Sequence, residues 1–69
     1  MMLNQVVYMQ FLVANQYMRK HHLTPQEFLE LDKKSDLLGF LEDGYEPLHL
    51  TGMDGIMDEV ENYIGNFSN

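Results

Sequence analysis

The chain has no cysteine and no tryptophan, only two prolines, and no lysine or arginine after Lys34. The missing cysteine excludes disulfides and thiolate metal sites, two of the usual supports of a very small fold. With 69 residues, such a domain buries only about 60% of its unfolded surface, so close helix packing or self-association has to supply the rest of its stability. The missing cations in the second half split the charge. Residues 1–34 carry Arg19, Lys20, Lys33 and Lys34 against Glu27, Glu30 and Asp32. Residues 35–69 carry Asp36, Glu42, Asp43, Glu46, Asp54, Asp58, Glu59 and Glu61 with no lysine or arginine, so the net charge of −7 is +1 in the first half and −8 in the second. That half repels phosphate backbones, so nucleic acid is not expected as a partner. A basic protein partner would be attracted. The alternative is that the acid only keeps the surface solvated.

No apolar run is long enough for a membrane span. The opening "MMLNQVVYMQFLVANQYMRKHH" is interrupted by Gln10 and Asn15, and its cations follow the apolar stretch rather than precede it, unlike a secretory signal. These features lead to the expectation of a cytoplasmic protein with no membrane contact. At 45% hydrophobic and 22% charged residues, the composition suits a globular domain.

The periodicity predicts an all-α fold: one small four-helix domain over 1–69, with helices at about 3–20, 25–33, 36–43 and 53–67. On a helical wheel the first segment shows an apolar arc of roughly 200°. Met9, Val13, Val6, Tyr17, Leu3, Ala14, Val7, Met18 and Phe11 lie in it, and only Gln10 interrupts. That is wider than one neighbour covers, so this helix is either central or meets another chain. Tyr8 and Leu12, on the remaining arc, are the candidate contacts for a homo-oligomer. The second helix has the clearest start: Thr24 as N-cap, Pro25 at the first position, Glu27 completing a Thr-x-x-Glu capping box, and Leu23 and Phe28 at the spacing of a hydrophobic staple. Ser35 or Asp36 is expected to cap the third, and Gly44 to end it in the left-handed conformation. In the last, Met53, Ile56, Met57, Val60, Tyr63, Ile64 and Phe67 recur at three and four residues. The expected core is Val6, Val7, Phe11, Ala14, Met18, Phe28, Leu37, Phe40, Leu41, Ile56, Val60, Tyr63 and Ile64, with the first and last helices as the main packed pair.

Little in the sequence points to chemistry. His21, His22 and His49 are the only histidines. Adjacent helical side chains point about 100° apart, so His21 and His22 do not readily share an ion, and neither a metal nor another cofactor is expected. No Walker pattern, phosphate loop or nucleophile elbow is present. The pair "SDLLGFLED" and the helix before it mimic a helix-turn-helix, but the second member lacks the donors that read base edges. In "GYEPLHLTG", residues 44–52, Glu46 and His49 lie three apart and share a face if the segment is helical. A small ligand-binding or catalytic site built on Tyr45, Glu46 and His49 is the rival reading. The simpler one is a shaped connector, with Tyr45 and Leu48 inward and Glu46 in solvent.

With "YEPLHLTGMDGIMDEVENYI" the chain resembles a family of short bacterial proteins catalogued as a domain of unknown function. The matching features are the Thr-x-x-Glu helix start at 24–28, the aromatic of the short helix at Phe40, the Tyr-Glu-x-Leu-His-x-x-Gly signature at 45–52, and an acidic last helix closing in Tyr-Ile at 58–64. Gly44 and Pro47 imply a signature less helical than in a member lacking them. The resemblance implies a small helical protein often encoded beside a larger protein that looks like an ADP-ribosyltransferase-type toxin, and an accessory or antitoxin-like role. The leading expectation is therefore a non-enzymatic protein-interaction module. Its candidate binding residues are Glu46, His49, Asp54, Asp58, Glu59 and Glu61. A structural homodimer is the third reading.

Overall fold

The structure, a computed structural model, describes residues 4–68. Five helices follow one another: α1 (Gln5–His21), α2 (Pro25–Ser35), α3 (Leu37–Asp43), α4 (Tyr45–His49) and α5 (Gly52–Ser68), with no strand among the described residues. The all-α expectation stands. Its four helices become five because residues 45–49 close a turn of their own. Leu3, expected to open the first helix, lies outside the described residues.

Each helix end has a local cause. Asn4 caps α1, its side-chain oxygen accepting from the Val6 amide at 2.8 Å. Arg19, Lys20 and His21 occupy the last turn, where cations meet the negative end of the helix dipole. His22 then takes the left-handed conformation (φ 56°), and the Leu23 amide returns to the Met18 carbonyl at 2.8 Å. The capping box of α2 forms as the sequence predicts. The Thr24 amide donates to Glu27 Oε1 at 2.8 Å, and the Glu27 amide donates to Thr24 Oγ1 at 3.1 Å.

The junction to α3 differs from expectation. Ser35 does not cap the third helix: it ends α2, buried, with its hydroxyl donating to the Leu31 carbonyl at 2.8 Å. Asp36 is left-handed (φ 53°) and makes no side-chain cap bond. Asp32 takes that role across the break, accepting from the Leu38 amide at 2.9 Å. Gly44 is not left-handed either (φ −96°). A side chain there would meet the Phe40 carbonyl and Leu48 Cδ1, each at 3.3 Å, so glycine provides room for α4 to double back rather than a turn of special hand. Pro47 sits within the first turn of α4, where its missing N–H costs nothing. The left-handed glycine of this region is Gly52 (φ 75°), opening α5.

Val13, Leu37, Leu41 and Val60 are fully buried at the centre of the core. Met9, Tyr17, Phe28, Leu48, Ile56, Met57 and Ile64 surround them. The main partner of α1 is α3 rather than the last helix; α5 packs on α4 and α1. Gln10 pins α1 to α3 by donating to the Leu38 carbonyl at 2.7 Å. Tyr63 pins α5 to the end of α2 through a short hydrogen bond to the Ser35 carbonyl, and its ring stacks on Phe40 (centroids 4.1 Å apart).

Three expected core residues are corrected: Val6 is half-buried and lies outside the packed core. Phe11 is 62% exposed and Val7 47%. Met9, Val13 and Tyr17, four apart, form the buried seam of α1. The helices that pack on α1, namely α2, α3 and α5, are too few to cover the rest of a roughly 200° arc. Phe67, the last of the α5 repeat, is also exposed.

Candidate interaction surface

Residues 45–49 carry the signature motif and form one helical turn. Leu48 points into the core, Tyr45 packs against its edge, and Glu46 is exposed, as the connector reading expects. The Tyr45 hydroxyl donates to Gln5 Oε1 at 3.0 Å, fastening α4 to the start of α1. His49 is exposed and stacks on the Tyr45 ring (centroids 4.7 Å apart, planes 5° apart). Its Nδ1 lies 3.0 Å from the Tyr45 carbonyl. A carbonyl only accepts, so in this contact Nδ1 is the donor.

Tyr45 and His49 face an open groove of about 350 Å³ between α1, α4 and α5. Gln5, Tyr8, Met9 and Leu12 form its α1 wall, and Met53 and Ile56 its α5 wall. The candidate contacts Tyr8 and Leu12 thus share one hollow with two members of the rival site. Glu46, its third member, does not line the groove. The hydrogen bond of His49 goes to the Tyr45 carbonyl rather than to Glu46.

The six candidate binding residues divide by environment. Glu46, Asp54, Asp58 and Glu59 are exposed, and Glu42 and Asp43 at the end of α3 join them. Asp54 and Asp58 border a groove of about 410 Å³ with Gln16, Arg19 and Lys20, so cations of α1 partly balance them. Glu59, beside Pro47 and Thr51, borders a groove of about 310 Å³ with no cation among its lining residues.

Glu61 belongs to a different arrangement. It is half-buried and accepts from His21 Nε2 at 2.7 Å and from Lys20 Nζ at 3.2 Å, tying α5 to the end of α1. Burial pushes its carboxyl up, but the hydrogen bonds and charges of His21 and Lys20 outweigh burial and hold it below the usual carboxylate range. Behind it, burial first and the Glu61 charge second raise the Tyr17 hydroxyl, and the Tyr17 ring packs on His21 at 4.3 Å. This clamp escaped the sequence reading, because no local spacing announces a pair forty residues apart.

His22 is exposed at the end of α1, away from the pairing made by His21. Among the described residues, no three histidine or acidic side chains come together as a metal site, and no helix is long and apolar enough to cross a membrane.

In comparisons with known proteins, a model of the family described as "Protein of unknown function (DUF3791)" matches residues 8–66. No curated protein and no solved structure matches.

Proposed function

The chain belongs to DUF3791, whose description assigns no function, and from its surface we propose that it is a non-enzymatic protein-interaction module that engages a basic partner. The observation carrying this reading is the one-sided charge. Glu42, Asp43, Glu46 and Glu59 stand exposed on α3, α4 and α5, in a half of the chain that has no lysine or arginine. Charge of one sign, displayed without compensation, steers and selects an oppositely charged surface. The partner is the product of an adjacent gene, in keeping with the resemblance to small proteins encoded beside ADP-ribosyltransferase-like toxins, and the module acts as its accessory or antitoxin-like subunit inside the cell. Glu61 contributes through the Lys20–His21 clamp rather than by touching the partner, and His49 contributes an exposed ring at the edge of the acidic patch.

The test is co-purification of the chain with the product of the neighbouring gene, repeated with Glu46→Lys and Glu59→Lys together. Wild-type protein is expected to retain the partner and the double variant to lose it. Absence of binding by the wild type, or undiminished binding by the charge-reversed variant, overturns the proposal.

A further inference from the structure

Three large apolar residues on α1 face away from the core: Val7, Tyr8 and Phe11. Val7 and Phe11 are one turn apart, and Tyr8 lies three residues before Phe11, so they share one outward face. Tyr8 is also a wall of the groove whose floor and sides include Met9, Leu12, Met53 and Ile56. A projecting ring, Phe11, therefore stands beside an apolar hollow on the same helix.

That pairing of knob and hollow is what a closed two-fold contact requires, because residue i of one copy meets residue j of the other while j meets i. With two α1 helices antiparallel about an axis passing between positions 9 and 10, Phe11 of each copy is level with Tyr8 of the other, at the mouth of its groove. The charge distribution favours the same face. The whole of α1 contains no aspartate or glutamate, whereas Glu42, Asp43, Glu46, Asp54, Asp58 and Glu59 are exposed on α3, α4 and α5. Two bodies each of net charge −7 approach through α1 with the least contact between like charges. In the antiparallel pair Asn4 of each copy is level with Asn15 of the other, a polar rim at both ends of the seam.

We propose that Val7, Tyr8 and Phe11 form the seam of a reversible two-fold homodimer, with Phe11 of each copy seated at the groove walled by Tyr8, Leu12 and Tyr45 of the other. Aromatic side chains carry about 150–250 Å² each, so these half-exposed residues supply roughly 250 Å² of apolar surface per copy. A standard interface buries about 800 Å² per partner. The groove walls and the polar rim of Asn4, Asn15 and Arg19 make up part of the difference, and the association is weak and concentration-dependent.

Sedimentation equilibrium of the full chain over a concentration series tests this. Wild-type protein is expected to rise from the mass of an 8.1 kDa chain toward that of a dimer. Phe11→Glu is expected to weaken association about tenfold or more with unchanged helical circular dichroism. Tyr8→Arg reads the same seam should Phe11→Glu fold poorly. Leu29→Glu, at an exposed apolar position on α2, is expected to leave association unchanged. Added salt strengthens the dimer by screening two like-charged bodies, the opposite sign to binding of a basic partner, so the two proposals fail separately. A wild type that stays monomeric throughout, or folded seam variants that dimerise as tightly as wild type, overturn the proposal.

Discussion

Gly55 and Gly65 both lie in α5, and the same substitution is expected to act on them with opposite signs. Alanine is favoured over glycine inside a helix by about 1 kcal/mol, which taken alone predicts a gain at each. At Gly65 an added Cβ meets nothing within 4 Å. The gain is realised there, reduced toward about 0.5 kcal/mol because Ser68 already ends the helix. At Gly55 the same atom would lie 2.7 Å from Thr51 Cβ and 2.8 Å from Thr51 Oγ1, against a comfortable carbon–carbon separation of about 3.5–4.0 Å. Thr51 Cβ is fixed to the backbone and cannot swing aside. Its hydroxyl donates to the Leu48 carbonyl at 2.8 Å, holding the turn between α4 and α5. Overpacking of this kind costs about 1–3 kcal/mol, which exceeds the propensity gain. In a domain of this size 1 kcal/mol moves the melting temperature by about 4–8 °C. Gly65→Ala should therefore raise it by about 2–4 °C, and Gly55→Ala should lower it by up to about 16 °C. Thermal melts followed by far-UV circular dichroism read both. A Gly55→Ala protein that melts as high as Gly65→Ala would refute the packing of Thr51 against α5.

Thr24→Ala removes the side-chain half of the capping box and is expected to cost about 1 kcal/mol in urea unfolding, with an unchanged denaturant slope. His22→Gly relieves a left-handed non-glycine residue at an exposed site and is expected to stabilise by about 0.5–1 kcal/mol, less whatever freedom glycine adds to the unfolded chain. The depressed Glu61 carboxyl contributes stability that is present above the ordinary glutamate range and is lost as pH falls through its lower folded value. Glu61→Gln should accordingly lose on the order of 0.5–1 kcal/mol at neutral pH and flatten the acid limb of a stability–pH profile. An unaltered acid limb would mean that the clamp to Lys20 and His21 does not persist in solution.

The capping box at Thr24 and the Ile56–Val60–Ile64 repeat were legible because both are local. Their geometry is set by residues three or four apart. The outward face of α1 was not, because a wheel shows which residues share a side and not how many neighbours arrive to cover it. Val7 and Phe11 are apolar enough for a core and are left outside because α2, α3 and α5 cover only the Met9–Val13–Tyr17 side. In the sequence, Gly44 and Pro47 both discourage a long helix, which favours a connector over residues 44–52. A five-residue helix lets Pro47 fall where no amide is needed and asks of Gly44 only its small size. At the candidate surface, the exposed positions of Glu46, Asp54, Asp58 and Glu59 followed from the polar side of each pattern. The diversion of Glu61 to Lys20 and His21, and the meeting of Tyr8 and Leu12 with Tyr45 and His49, depend on how distant segments pack and leave no local trace.

We propose the exposed acid of α3, α4 and α5 as a docking surface for a basic protein, and a calorimetric titration of the chain with the product of its neighbouring gene, at low and then at physiological ionic strength, decides it. Saturable binding that weakens as salt is added is the predicted result. No heat of binding at low salt, or an affinity indifferent to salt, would contradict it.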